Sequence, residues 1–138
     1  MIQLVDDQLL GQILRGADPP DPTAKVYTTG YWYVRVCQAV LTASGRPGSL
    51  SAPFLGLPAG TRERTIQTLL ELPPWIGLLS LRDLGPGIGR LRSEHRLNIL
   101  GIEALAAAVA LEAHVHLSAP SPKLQEALEA EGRTVTLV

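Results

Sequence analysis

The chain has 138 residues, 46% of them apolar, a formal net charge of −1 and one cysteine, Cys37. That length fits a single domain able to bury a core without staples, a lone thiol excludes an internal disulfide, and a near-neutral charge does not announce a nucleic-acid partner. The longest apolar run, Ala104 to Leu111, is far too short to cross a bilayer. The first ten residues carry two acids and no basic flank, unlike a secretory signal, so a cytoplasmic location is the expectation.

In chain order, Ile2 to Val5 is a short apolar run interrupted by Gln3, as in a strand. Asp6 or Asp7 then caps a helix in which Leu9, Leu10, Ile13 and Leu14 recur at helical spacing, and Gly16 stands where it would stop. Ala17 to Thr23 is a proline-rich loop. Thr28 or Thr29 caps a second helix whose stripe is Trp32, Tyr33, Val36, Cys37, Val40 and Leu41. Ser44 to Pro58, rich in Gly, Pro and Ser, reads as an excursion or lid. Thr61 caps a helix running through Leu72, ended by Pro73 and Pro74. Ile76 to Leu81 is continuously apolar, as in a strand buried on both faces. Leu84 to Arg96 is a helix with Pro86 near its first turn and Ile88 and Leu91 inward. Ile102 to Ala113 is an alanine-rich helix suited to close packing on a sheet. His114 to Leu117 is a strand, Ser121 and Pro122 open a helix that Gly132 ends, and Thr134 to Val138 is the last strand.

Four strands alternating with helices imply a three-layer α/β/α domain around a central parallel sheet. Ligands in such sheets sit beyond the carboxyl ends of the strands. That rule selects Asp6 and Asp7, Ser118 to Pro120, and the start of the helix holding Glu103. Two carboxylates brought together there repel unless a cation lies between them. Mg²⁺ or Mn²⁺ suits Asp6 and Glu103, with Asp7 assisting through water, and such an ion polarises phosphate and generates hydroxide. The alternative is that Asp6 or Asp7 only caps its helix and Glu103 only favours a helix N-terminus. Ser118 either meets a metal-bound phosphate or simply ends its strand.

Other features carry less chemistry. His114 and His116 share one side of their strand, with no third ligand near in sequence. Cys37 falls on an apolar stripe and reads as core. Gly85 to Gly89 lacks dinucleotide or phosphate-loop spacing. Tyr31, Trp32 and Tyr33 serve either helix packing or base stacking. Arg82, Arg90, Arg92 and Arg96 with His95 form either a solvated face or a patch that meets phosphate.

VDDQLL (Val5 to Leu10), LNILGIEALAAAVAL, HVHLSAPSPKLQEAL and TVTLV together resemble the PIN-domain family. The family opens with a strand, an Asp, a small or polar pair and two aliphatics. It closes with a leucine-containing loop, an Asp-Ala pair opening an alanine-rich helix, a strand, a Thr-x-Asp turn, a helix and a strand. Glu103-Ala104 stands in place of Asp-Ala, and GYWYVR resembles a segment of an actinobacterial PIN-like subgroup. The likeness covers about the first 15 and the last 55 residues. It implies a PIN-like domain and a Mg²⁺- or Mn²⁺-dependent endoribonuclease of the toxin type. It also implies RNA as substrate, a small antitoxin-like protein as partner, and a homodimer. On that resemblance Asp6 and Glu103 are catalytic and metal-holding, Asp7 assists, and Ser118 or Arg35 orients the phosphate. The departures are equally specific. The family's second acid has no counterpart in GYWYVRVCQAVL, and Ser118-Ala119-Pro120 replaces Thr-x-Asp. A weakened nuclease, or a non-catalytic PIN-like binding or dimerisation module, is what those losses imply.

Overall fold

A computed structural model describes residues 1–42 and 48–138. Its elements are β1 (Ile2–Val5), α1 (Asp7–Leu14), β2 (Lys25–Thr28), α2 (Gly30–Leu41), α3 (Ala52–Leu55), α4 (Ala59–Leu70), β3 (Ile76–Leu78), α5 (Leu81–Arg92), α6 (Ile99–Leu111), β4 (His114–Leu117), α7 (Pro122–Ala130) and β5 (Val135–Leu137). The strands form one all-parallel sheet in the order β3-β2-β1-β4-β5. The domain is therefore α/β with helices on both faces, as the alternation of elements predicts.

Strand alternation divides the core. Leu4 belongs to a cluster with Leu84, Leu91, Ile102, Leu105, Val115, Leu117, Leu124 and Leu128, beneath α5, α6 and α7. Val5, the next residue, joins Leu9, Leu10, Val26, Val36, Phe54, Leu69 and Ile76 beneath α1 to α4. Trp32, on α2, packs into the first cluster. Helix α6 is buried without interruption from Gly101 to Ala108, packed against α5, α7 and α2. A helix apolar all round must lie inside, and its alanines allow that close approach.

Six sequence expectations need correction, the first being that the helix expected over Leu84 to Arg96 is α5, Leu81–Arg92. Lys25 to Thr28, unassigned between the proline loop and the second helix, is strand β2, paired with both β1 and β3. The described part of the expected lid, 48–58, carries the one-turn helix α3, whose Phe54 is fully buried; residues 44–47 of that stretch lie outside the described residues. Thr61 lies inside α4, which starts at Ala59 after Pro58. The run from Ile76 gives only a three-residue edge strand, because Ser80 already caps α5 by accepting from Asp83 N. Helix α6 starts at Ile99, capped by the Asn98 side chain, which accepts from Gly101 N at 2.8 Å.

Two local choices fix the sheet. Gln3 has a buried amide that donates to Asp21 O and Ala24 O and accepts from Asp21 N, which pins the proline loop across β1. Gly77 faces Tyr27 on β2, and a Cβ there would fall 2.3 Å from the tyrosine ring. No helix among the described residues is long and apolar enough to cross a membrane.

Candidate functional site

The carboxyl edge of the sheet collects four of the predicted residues, Asp6, Asp7, Arg35 and Ser118, but not the Glu103 carboxylate. β1 is the central strand, and Asp6 follows it directly. Its Oδ1 accepts from Leu9 N at 3.0 Å, so Asp6 is the N-cap of α1. Its Oδ2 accepts from both the backbone N and the hydroxyl of Ser118, each at 2.7 Å, across 112 residues of sequence. Ser118 follows β4, the neighbour of β1. It reaches the site by its bonds to Asp6.

Asp7 takes the Nε of Arg35, on α2, at 2.7 Å. About half of the Arg35 side chain remains exposed. Asp6, Asp7, Arg35, Trp32, Asn98 and Ser121 line a cleft floored by Leu117 and Leu124. Arg96, Pro122 and Lys123 line an adjoining hollow that shares Asn98, Gly101, Pro120, Ser121 and Leu124 with the cleft. The two form one groove with Arg35, Arg96 and Lys123 along it.

Glu103 is placed differently. It has no exposed surface, and its carboxylate is turned to the N-terminus of α2. Oε2 accepts from Gly30 N at 3.1 Å and Oε1 from Tyr31 N at 2.8 Å. The Thr29 hydroxyl accepts from Trp32 N. The first three N–H groups of α2, which an isolated helix leaves open, are thereby all satisfied. A carboxylate is well suited to that end because the helix dipole is positive there and its hydrogen bonds are charge-assisted. Glycine at position 30 permits the approach, since a Cβ would lie 3.0 Å from Oε2.

This arrangement is a poor holder for a hydrated divalent ion. Mg²⁺ keeps several waters and takes open carboxylates. Glu103 has no open side, and Asp6 already accepts three hydrogen bonds. Among the described residues, no third carboxylate, histidine or cysteine gathers with Asp6 and Asp7 into a ligand cluster.

The remaining expectations resolve by burial. Trp32 is buried at the cleft wall, and Tyr33 packs on the α1–α4 side with its hydroxyl donating to Leu69 O at 2.6 Å. Cys37 is half-buried against the same cluster, and burial raises its thiol pKa, as for a structural cysteine. Gly85 to Gly89 lies within α5. The His114 and His116 rings stack at 4.3 Å and 7°. His114 Nε2 pairs with the Thr136 hydroxyl, whereas both ring nitrogens of the buried His116 lack a partner. Residue spacing did not reveal the docking of Glu103 on α2; the glycine after a capping threonine was its one local signal. Comparison with family models, curated proteins and solved structures gave no match.

Proposed function

We propose that the chain is a PIN-like module that binds single-stranded RNA along the groove at the carboxyl edge of its sheet and does not cleave it. The observation that carries this reading is Glu103, whose two oxygens are both engaged by the α2 backbone. In this reading the acid that the family resemblance assigns to metal chemistry serves the fold. The groove supplies what backbone recognition needs: Arg35, Arg96 and Lys123 spaced along a trough with polar Asn98 and Ser121 between them.

The test is fluorescence anisotropy of a labelled single-stranded RNA, with Mn²⁺ and with EDTA, followed by a gel for cleavage. Binding weakens with salt, with a log–log slope of about −2 if three cations meet phosphates. Arg96→Ala with Lys123→Ala reduces both affinity and slope, and the RNA stays intact.

A weak Mg²⁺- or Mn²⁺-dependent ribonuclease is the second reading. It is favoured by Asp6 and Asp7 lining the same cleft as Arg35. Mn²⁺-dependent cleavage that disappears in Asp6→Ala establishes that reading and overturns the first. Absence of both binding and cleavage points to a protein partner, either a small antitoxin-like chain or a second copy, and overturns both.

A further inference from the structure

We infer that Glu94, His95 and Glu131 form a site for a divalent transition ion of the zinc class, separate from the acids of the cleft. One donor atom from each of the three lies within 4.8 Å of the other two. His95 Nε2 and Glu131 Oε2 are 3.0 Å apart. Tetrahedral zinc with bonds of about 2.0–2.1 Å places neighbouring ligand atoms about 3.3 Å apart, so small side-chain rotations bring this set onto an ion.

The backbone holds the donors in place. Glu94 and His95 follow α5, and their amides donate to Leu91 O. Glu131 is the C-cap of α7, tied to Ala127 O. The His95 and Glu131 side chains are 15% and 21% exposed, so the ion is partly shielded, while exposed Glu94 stands on the entry side. A hollow of about 260 Å³ lined by Glu94, His95, Lys123 and Glu126, among others, opens beside them and gives room for a water as a further ligand.

Charge points to a cation. The Glu94 and Glu131 carboxylates share this small space with one imidazole between them. Arg96, Lys123 and Glu126 line the adjoining hollow, but within the donor set itself two carboxylates repel each other, and a doubly charged ion removes that repulsion. Donor type then selects the ion. Mg²⁺ and Ca²⁺ prefer all-oxygen sets, whereas an imidazole shifts preference toward zinc and its neighbours. An ion here would clamp the α5–α6 connection to the end of α7.

Tag-free full-length chain, stripped with EDTA, is titrated with ZnCl₂ by calorimetry, and thermal unfolding is followed in parallel. The wild type binds one equivalent with a rise in melting temperature, and MgCl₂ at the same concentration gives neither. His95→Ala weakens zinc binding by about 100-fold or more, and Glu94→Gln by about tenfold. Far-UV circular dichroism checks each variant. Should His95→Ala lose its fold, the exposed Glu94→Gln carries the comparison. The proposal is overturned by wild-type protein with no stoichiometric zinc binding. It is equally overturned if binding survives in these variants but vanishes in a His114→Ala/His116→Ala double variant, which gives the ion to the stacked pair on β4.

Discussion

A carboxylate without exposed surface needs a partner for each oxygen, and Glu103 takes both from the first turn of α2. Glu103→Gln keeps the shape but places an amide NH₂ against a backbone N–H, leaving donors unmatched in the interior. Its expected cost is about 2 kcal/mol, read as a lower urea midpoint with unchanged m-value. A metal ligand would instead tolerate or gain from losing its charge in the ion-free protein, so a neutral or stabilising result speaks against the capping role. His116 gives the second expectation at this scale. Burial, then the neighbouring His114, lower its pKa from the ordinary 6.5, with Asp21 opposing weakly. Above 6.5 the ring is neutral in folded and unfolded chains alike and costs nothing. As pH falls below 6.5, the unfolded chain takes up the proton first, so stability is lost until the folded pKa is passed. Urea midpoints therefore fall between pH 7.5 and 5.5, and His116→Leu flattens that slope. The prominence of Asp6 was legible from its position after a strand, whereas Glu103, read as opening a helix, is the fifth residue of α6. The partners of Glu103 and Asp6 were not legible, because Gly30 and Ser118 lie 73 and 112 residues away from them in sequence.

Among the elements, α3 shows how a composition rich in Gly, Pro and Ser can mislead. One turn of helix places Phe54 at zero exposure among residues of α1, α2 and α4, with the Arg15 guanidinium 5.0 Å from its ring centroid. It is a wedge under the helices, and Phe54→Ala should cost about 4 kcal/mol, measured by chemical denaturation. A lid residue would cost almost nothing. Strand β2 escaped the sequence reading for another reason. It has four residues, and its Val26, Tyr27 and Thr28 run directly into the capped start of α2, so two periodicities meet without a gap. The long, strongly periodic helices and the C-terminal strands were legible because burial, capping and propensity agree there. Gly132 after α7, at φ +74, marks such an end, whereas the Asn98 cap of α6 was not read from the sequence.

At the scale of the molecule, the layered α/β architecture followed from the alternation of elements, and the position of the edge residues followed from it. The order of the strands could not be read so directly, since each apolar run is compatible with several neighbours. That order carries its own consequence. Strand β1 lies in the middle of the sheet, and one of its two neighbours, β4, lies more than 100 residues downstream, with β5 beyond it. During synthesis β1 and β2 can join early, but the Asp6 clasp on Ser118 and the seat of α6 on the sheet must wait for more than 100 residues beyond Asp6 to emerge. Closure is thus a late, long-range event. Until β4 pairs with it, β1 keeps one edge bare, and an unpaired strand edge is a template for association between chains.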